Sequence, residues 1–378
     1  MIYLDSAATA MQKPVCVSQA MSFAMSHMAS PGRGGHRPAI LAGKTAFRCR
    51  QAAAELFHLD NPESVVFTSN ATHGLNIAIK SLVRSGDTVL ISGYEHNAVT
   101  RPLSSIPDVK VKVVDTPLFQ PEQMIEGFRG KMTAEVSTVI CTHVSNVFGY
   151  ILPVYQIAEL CQQRGKNFIL DASQSAGCLP VYLDLLKADF VAMPGHKGLY
   201  GPQGTGLLLC NHEMIQPIME GGTGSSSIQQ EMPDFLPDRL EAGTHNITGI
   251  AGLLEGIRYV QRIGTETILA HEQELNNQAL EGLRRWPELQ VYGTDRPQWQ
   301  SGVCSFVPNG MDCEELGEQL GQQGIALRAG LHCAPLAHQT VGTLQTGTVR
   351  FSVSAFNNRR EVQRFLQVTQ YLLHRRKK

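Results

Sequence analysis

The sequence has almost no net charge, no close pair of cysteines and no long apolar run. Its 32 lysines and arginines and 33 aspartates and glutamates give a formal net charge of −1. Nucleic acids and anionic membranes attract proteins through an excess of positive charge, so we expect neither as a partner. No apolar run approaches the about 20 residues that a membrane-spanning helix needs.

The nine cysteines are scattered, and no two of them are spaced C-x-x-C. This pattern fits neither a disulfide framework nor a zinc site, so we expect no bound metal. Free cysteines are typical of reducing compartments, and the first residues, MIYLDSAAT, lack the basic and apolar regions of a signal peptide. We therefore expect a cytoplasmic protein. A dinucleotide-dependent dehydrogenase is disfavoured, because no predicted strand leads into a G-x-G-x-x-G loop.

Short apolar runs alternate with helix-like segments over the first two thirds of the chain. Strands are predicted at residues 65–68, 88–92, 109–114, 136–141, 168–171, 190–193 and 206–210. This alternation predicts an α/β protein with a mostly parallel sheet between helices. From about residue 248 the pattern changes to a long helix, predicted from residue 250 to about 286, and then to shorter elements. The 378 residues are enough for two domains, a large one over residues 15–248 and a smaller α+β one over residues 249–378.

Two of the predicted strands end in chemically reactive side chains. One apolar run ends at Asp171, and the next is followed by Pro194, Gly195, His196 and Lys197. α/β enzymes place ligands at the carboxyl ends of such strands, where a poorly hydrated lysine can form a Schiff base. Pyridoxal phosphate needs this pair, because the acid keeps its pyridine nitrogen protonated and the lysine holds its aldehyde. Taken alone, the sequence G-H-K-G is also compatible with a surface lysine in a glycine-rich turn.

A strand, a turn of small residues and a helix also follow one another at residues 65–83. The unpaired N–H groups and the dipole of a helix N-terminus both favour an anion, so the turn S-N-A-T-H-G at residues 69–74 suits a phosphate group. The helix itself is predicted over residues 75–83. An ordinary N-cap by Thr72 explains the same residues, and the two interpretations are compatible.

The segments LDASQSAG, at residues 170–177, and ADFVAMPGHKGLYGPQGTG, at residues 188–206, resemble the class V aminotransferases, a family of fold-type I pyridoxal-phosphate enzymes. They are most similar to the branch of cysteine desulfurases and selenocysteine lyases. Matching motifs run from YLDSAAT at residues 3–9 to VRFSVSAFN at residues 349–357, which is nearly the whole chain. The resemblance implies a large domain with a mostly parallel seven-stranded sheet, and it adds residues 1–14 to the small domain.

The resemblance also implies most of a cofactor site. Lys197 would hold pyridoxal 5'-phosphate, Asp171 would pair with its ring nitrogen, and Gln174 would bind its phenolic oxygen. His96, in the motif E-H-x-A, would lie flat on the ring, and Asn146, in T-H-V-S-N, would approach both cofactor and substrate. The phosphate contacts that the resemblance implies are Ala71, Thr72, His196 and, across a subunit interface, Thr244.

Further motifs match the family's substrate-binding and dimer residues. Arg350 matches the clamp on the substrate α-carboxylate, and Arg328 lies near the same site. Arg33 and His36 match an R-G-x-H loop that reaches toward the active site, although this glycine-rich segment is also compatible with a solvated connector. RLEAGTHN, at residues 239–246, resembles a segment whose threonine reaches the partner's cofactor, so Thr244 implies a two-fold homodimer with shared sites.

The stretch RAGLHCA, at residues 328–334, carries the motif R-x-G-x-H-C-A of group II cysteine desulfurases and selenocysteine lyases. Cys333 stands at their persulfide-forming position, and cationic neighbours make a thiol a better nucleophile. Without the motif, Cys333 would be a loop cysteine of no consequence. The resemblance implies a desulfurase that converts L-cysteine to L-alanine. Lys197 would deprotonate Cα, His96 could also move protons, and Cys333 would carry a persulfide for a protein sulfur acceptor.

One residue departs from the family pattern. Pro194 replaces the serine of the usual S-G-H-K, which removes a hydroxyl that would contact the phosphate. It suggests a divergent subgroup whose substrate need not be cysteine. The alternatives are a selenocysteine lyase, another class V activity (aminotransferase, β-lyase or cysteine-sulfinate desulfinase) in which Cys333 is dispensable, and a non-catalytic sulfur-carrier or scaffold protein that kept the fold.

Overall fold

The structure, which is a computed structural model, describes residues 1–31, 34–213 and 215–375. Its strands, numbered along the chain, are β1 (Ile2–Tyr3), β2 (Val65–Thr68), β3 (Thr88–Ser92), β4 (Lys110–Val114), β5 (Val136–Thr142), β6 (Asn167–Asp171), β7 (Phe190–Pro194), β8 (Gly206–Cys210), β9 (Leu289–Tyr292), β10 (Val303–Pro308), β11 (Ile325–Ala326), β12 (Arg328–Gly330) and β13 (Thr348–Ser352). Its helices are α1 (Val15–His27), α2 (Arg37–Phe57), α3 (Ala71–Leu82), α4 (Asn97–Ser104), α5 (Pro121–Lys131), α6 (Val154–Gln163), α7 (Leu183–Leu186), α8 (Ile247–Ile263), α9 (Thr265–Leu283), α10 (Cys313–Gln322), α11 (Pro335–Val341) and α12 (Arg359–Arg375).

A seven-stranded sheet, with strand order β2-β8-β7-β6-β5-β3-β4, forms the centre of the described chain. β7, β6, β5, β3 and β4 are parallel to one another, whereas β8 pairs antiparallel with both β7 and β2. This confirms the predicted mostly parallel sheet, and each of its strands lies within one residue of the predicted ends. Because parallel strands share a direction, their carboxyl ends meet at one edge of the sheet, which is where an α/β protein binds ligands.

Apolar side chains fill both faces of this sheet. One face packs against α2, α5, α6 and α8, and the other packs against α3 and α4. β7 and β8 are buried along their whole length, as expected for strands covered by helices on both faces. No helix in the described part of the chain is long and apolar enough to cross a membrane.

The C-terminal part of the chain builds a second sheet with its own core. Its antiparallel strands have the order β12-β13-β10-β9, and helices α9, α10 and α12 cover it. The first strand of the chain, β1, pairs in parallel with β11 and so joins this C-terminal unit. Residues near the two ends of the sequence, such as Asp5 and Ser352, therefore lie side by side.

The single long helix predicted over residues 250 to about 286 is wrong. Two helices, α8 and α9, meet at Gly264, whose φ of 87° lies in the left-handed region that favours glycine. α8 packs against α1 and α2, whereas α9 packs against α12 and the strands β9 and β10. The break at Gly264 thus lets one continuous segment contribute to two cores.

Candidate active site

One cleft at the carboxyl edge of the central sheet contains most of the predicted site residues. Its volume is about 210 Å³. The predicted residues that line it are Ala71, Thr72, His96, Asn146, Asp171, Gln174, His196, Lys197, Arg328, Cys333 and Arg350. These side chains are far apart in the sequence, and they meet because parallel strand ends converge on one edge while β12 and β13 close the cleft from the second sheet.

Lys197 lies in a turn whose backbone packs directly against the segment that follows Asp171. A Cβ atom on Gly177, whose φ is 98°, would lie 2.1 Å from the carbonyl oxygen of Gly198. A Cβ atom on Gly198 would lie 2.4 Å from the carbonyl oxygen of Ala176. Because only glycine permits such an approach, these two glycines bring the chain segments of the aspartate and the lysine into contact.

The surroundings of Lys197 favour its neutral amine. Burial, followed by the positive charge of Arg350, lowers the pKa of Lys197 to about 8, while Asp171 and Asp5 act in the opposite direction. A lysine with this pKa is neutral in about one molecule in ten at pH 7, compared with fewer than one in a thousand for an ordinary lysine. Lys197 can therefore act as a nucleophile or a base near neutral pH.

Asp171 is a buried acid at the carboxyl end of β6. Its side chain is 2% exposed, and its Oδ1 accepts a hydrogen bond of 2.9 Å from the N–H of Ser173. Within the described ranges, no lysine, arginine or histidine forms an ion pair with it. Burying a charge without a partner is unfavourable, so a bound group with a positive charge, such as a protonated pyridine nitrogen, fits this position.

His96 is held in one orientation by the backbone of the helix that follows it. It is the N-cap of α4, where its Nδ1 accepts a hydrogen bond of 3.0 Å from the N–H of Ala98. In a neutral ring this bond assigns the proton to Nε2. Burial lowers the pKa of His96, which favours the neutral ring. The imidazole is therefore an oriented, uncharged ring on the wall of the cleft.

The N-terminus of α3 faces the same cleft. The helix begins at Ala71, four residues before the predicted start, because Asn70 and not Thr72 is its N-cap. Oδ1 of Asn70 accepts a hydrogen bond of 2.9 Å from the N–H of His73. The N–H groups of Ala71 and Thr72 lie in the first helical turn, where backbone donors have no partner inside the helix. They can therefore bind an anion in the cleft.

His196 connects the lysine turn to the N-terminal segment. Its Nδ1 lies 3.0 Å from Oγ1 of Thr9, and its carbonyl oxygen accepts a hydrogen bond of 3.0 Å from the N–H of Ala10. Burial and then the charge of Lys197 lower the pKa of His196 to about 4, so the ring is neutral at pH 7. His196 can therefore offer an anion a hydrogen bond but no charge.

Arg350 is 2% exposed and already has an anionic partner. One terminal nitrogen donates to Oδ1 of Asp5 at 2.6 Å, and the other donates to the carbonyl oxygen of Asn146 at 3.0 Å. Its Nε has no hydrogen-bond partner among the described residues. Sequence reasoning missed Asp5, although its place in the motif L-D-S-A-A-T was a signal. A carboxylate that binds Arg350 must therefore share or displace Asp5.

Cys333 is exposed, but its loop is firmly held. Its carbonyl oxygen accepts a hydrogen bond of 2.9 Å from the N–H of Asn97, and that of His332 accepts one of 2.8 Å from Nδ2 of Asn146. The His332 ring is buried and stacks on His338, with 5.9 Å between ring centroids. Both His332 (φ 49°) and Cys333 (φ 56°) have left-handed backbones, a strained conformation that clusters at functional sites.

Two predicted site residues lie elsewhere, and a third is not among the described residues. His36 is exposed and serves as the N-cap of α2. Arg33 lies outside the described residues. Thr244 is exposed on a separate cavity, which it shares with Ser69, His73 and His245. Within one chain, therefore, the structure brings neither His36 nor Thr244 into the cleft.

Glu95 is a buried acid beside the cleft that sequence reasoning passed over. Its Oε1 accepts a hydrogen bond of 2.8 Å from the N–H of Thr142 and another from the hydroxyl of Ser92. Burial raises the pKa of Glu95 to about 8, so its carboxyl group is mainly neutral at pH 7. Glu95 thus ties the turn that carries His96 to the strand that pairs with Asp171.

The sheet order, with a buried aspartate and a lysine at the ends of neighbouring strands, defines the fold-type I class of pyridoxal-phosphate enzymes. Comparison with known families gives a match to the model described as "Aminotransferase class-V" over residues 2–365. The chain belongs to this family, whose members in general depend on pyridoxal phosphate. This confirms the resemblance that the motifs indicated.

Individual relatives point to one branch of the family. The chain is 32% identical to a probable cysteine desulfurase of Xylella fastidiosa, over 97% of this chain and 89% of that protein. Its fold is similar to that of an apo cysteine desulfurase from Thermococcus onnurineus (TM-score 0.89, 31% identity, 98% and 94% of the two chains). It is also similar to the cysteine desulfurase CsdA from Escherichia coli (TM-score 0.88, 25% identity, 98% and 94%). These similarities extend over both sheets.

Proposed function

We propose that this protein is a pyridoxal-phosphate-dependent cysteine desulfurase, which converts L-cysteine to L-alanine and takes up the sulfur on Cys333. One observation carries the proposal: the cleft that holds the pair of Lys197 and Asp171 also exposes Cys333. The relatives named above as cysteine desulfurases support the same activity.

The cleft offers a partner for each end of the proposed cofactor. Lys197 would bind the aldehyde, and the unpaired carboxylate of Asp171 would hold the protonated ring nitrogen. His96 would lie against the ring, and Gln174, whose Nε2 donates to the carbonyl oxygen of Ala7 at 2.9 Å, would approach the phenolic oxygen. The remaining contacts, which would bind the phosphate, are the N–H groups of Ala71 and Thr72, the hydroxyl of Thr72, and His196.

Pyridoxal phosphate supplies an aldehyde that reacts with amines and a ring that takes up the electron pair left when a bond at Cα breaks. The protein residues handle charge and protons. Arg350 would bind the substrate carboxylate next to Asp5, assisted by Asn146 and by the exposed Arg328. The neutral amine of Lys197 would accept the proton from Cα, as its lowered pKa allows.

Cys333 would then receive the sulfur atom. Its thiolate attacks the sulfur of the substrate, an S–S bond forms, and the C–S bond breaks with its electron pair going to carbon. A proton taken up at that carbon completes alanine, and Cys333 is left as a persulfide. Because the loop of Cys333 is pinned at Asn97 and Asn146, the nucleophile needs little reorganisation before it attacks.

The test is a combined assay of both products. Purified protein reconstituted with pyridoxal phosphate is given L-cysteine and a reductant, and alanine and sulfide are measured together. We expect equal amounts of the two, loss of both in Lys197→Ala, and loss of sulfur transfer in Cys333→Ser with cofactor absorbance retained. Cys16→Ser is the matched control, because Cys16 is only partly buried but lies outside the cleft. Full desulfurase activity in Cys333→Ser would refute the role of Cys333.

We further propose that two copies share their sites through Thr244. The exposure of Thr244 outside the cleft of its own chain is consistent with contact to a second copy. Mixing Lys197→Ala subunits with Thr244→Ala subunits tests this idea. If each site combines Lys197 of one chain with Thr244 of the other, mixed dimers regain one intact site and the mixture is more active than either variant. Sites contained in one chain would show no such gain.

Cys333 is also placed to deliver sulfur. A persulfide on an exposed thiol can be reached by a second protein, so we propose a protein sulfur acceptor as the partner. A reducing compartment, the cytoplasm, suits a mechanism that depends on a free thiolate.

A further inference from the structure

A second, smaller cavity is also lined by Lys197 but not by Cys333. It shares Ala7, Ser173, Gln174 and Lys197 with the cleft, and its far wall contains Glu272 of α9. Its volume is about 40 Å³. A water molecule needs about 10–15 Å³ by this measure, so the cavity has room for about three.

Glu272 is a buried acid with no partner of its own. Its side chain is 8% exposed, and among the described residues no hydrogen bond or nearby charge acts on it besides its burial. The titratable groups facing it are Cys178, Tyr200 and, across the cavity, Lys197. Burial holds the pKa of both Cys178 and Tyr200 well above its usual value, so neither supplies a charge at pH 7.

A glycine next to Glu272 leaves space for its side chain. A Cβ atom on Gly302 would lie 2.8 Å from Cβ of Glu272 and 3.1 Å from its Oε2, so the glycine permits the carboxyl group to reach the cavity. Two further polar atoms in the wall, Oγ of Ser6 and Oγ of Ser301, are buried and have no partner among the described residues. Buried polar groups are almost always hydrogen-bonded, so these hydroxyls and the Glu272 carboxyl indicate ordered water.

We propose that Glu272 exchanges protons with Lys197 through water in this cavity and so serves as a proton reservoir for the amine. A proton leaves the Glu272 carboxyl, passes along the hydrogen-bonded water and arrives at Nζ of Lys197; the reverse transfer restores the neutral pair. Because Glu272 would act on the amine of Lys197 and not on the substrate itself, it is a positioning residue and not a catalytic one. This inference rests on the function proposed above for Lys197 as the base at Cα.

Burial shifts the pKa values of the two groups toward each other. Burial raises the pKa of Glu272 to about 8, and burial together with Arg350 lowers that of Lys197 to about 8. Because both pKa values are shifted toward neutral pH, a proton can be held by either group under the same conditions. A proton can therefore move onto or off the amine without a large uphill step.

The test follows the Cα hydrogen of bound L-alanine in D₂O, measured by mass spectrometry on the reconstituted protein. This exchange requires Lys197 but not Cys333, so it reports on the inference even if the desulfurase assay shows no sulfide. We expect Glu272→Gln, which keeps the size but cannot titrate, to slow the exchange about tenfold at pH 7 and to leave only the pH dependence of Lys197. Glu272→Asp should restore part of the rate.

The matched control is Asn276→Leu, which alters the buried face of α9 one turn away without lining the cavity. It should exchange the Cα hydrogen like the wild type. Infrared difference spectra of the cofactor-free protein provide a second readout: a protonated carboxyl band should titrate near pH 8 and be absent in Glu272→Gln. Glu95→Gln identifies the separate band of Glu95. Wild-type exchange rates in Glu272→Gln across the pH range, or an unchanged band, would overturn the inference.

Discussion

Replacing Arg50 by methionine should lower the free energy of unfolding by about 3–5 kcal/mol. Arg50, on α2, forms a two-pronged ion pair with Glu241, with nitrogen–oxygen distances of 2.8 and 2.6 Å. The side chains are only 8% and 3% exposed, respectively. The N–H of Phe67 also donates to Glu241 at 2.6 Å. Methionine would fill much of the space of Arg50 but would leave the carboxylate of Glu241 buried without its main cation.

The size of the expected fall in the free energy of unfolding follows from the burial of the ion pair. Removing one member of a buried ion pair costs about 3–5 kcal/mol, whereas an exposed pair contributes less than about 1 kcal/mol. With an unfolding entropy of about 2.1 cal/mol/K for each of the 378 residues, the loss corresponds to a fall in Tm of about 4–6 °C. The ring of His245 also contacts this carboxylate, with its Nε2 3.3 Å from a carboxylate oxygen of Glu241.

Thermal unfolding followed by circular dichroism measures the effect. The double variant Arg50→Met/Glu241→Gln should be less destabilised than Arg50→Met alone, because no uncompensated charge remains and glutamine still accepts the bond from Phe67. A loss below about 1 kcal/mol in Arg50→Met, or a double variant as unstable as the sum of the single ones, would refute the reasoning. The segment of Glu241 also carries Thr244, so cofactor affinity should fall in Arg50→Met if the shared-site proposal is correct.

Three further predictions concern thiol and proton chemistry. Iodoacetamide should modify about one cysteine of the native protein rapidly and fail to do so in Cys333→Ser, because Cys333 is exposed, Cys16 is partly buried and the other seven cysteines are buried. The rate at which the cofactor-free protein binds pyridoxal phosphate should rise with pH and level off above about 8, because the neutral amine of Lys197 is the nucleophile; a flat profile would contradict this. Glu272 takes up a proton on folding between pH 4.5 and about 8, so wild-type stability should fall across that range by about 1.4 kcal/mol per pH unit relative to Glu272→Gln. A constant difference in Tm between the two proteins would show that Glu272 does not titrate there.

The sequence predicts those site residues whose positions depend on the residues next to them in the chain. Asp171 and Lys197 each follow a short apolar run, and a run of this kind becomes a strand whose end lies at the ligand-binding edge. Motifs then indicated His96, Asn146 and Cys333. The structure brings all five to one cleft.

Sequence could not predict features that depend on contacts between distant segments. Asp5 and Arg350 are separated by 345 residues, and only the pairing of the chain's two ends brings them together. The position of Glu272 behind Lys197 depends on the break at Gly264, which directs α9 toward the second sheet. The hydrophobic periodicity on both sides of residue 264 is typical of one helix, so periodicity alone does not indicate the break.

The backbone contact between Gly177 and Gly198 limits how this site can be altered. This contact fixes the distance between the two chain segments that carry Asp171 and Lys197. Because only backbone atoms take part, no substitution of a side chain can lengthen or shorten that distance. Reshaping the site around a larger aldehyde would therefore require moving two loops apart, whereas the exposed residues Arg328 and Cys333 can be exchanged without disturbing a core. Substitutions in this protein should therefore change its substrate more readily than the cofactor that we propose is bound to Lys197.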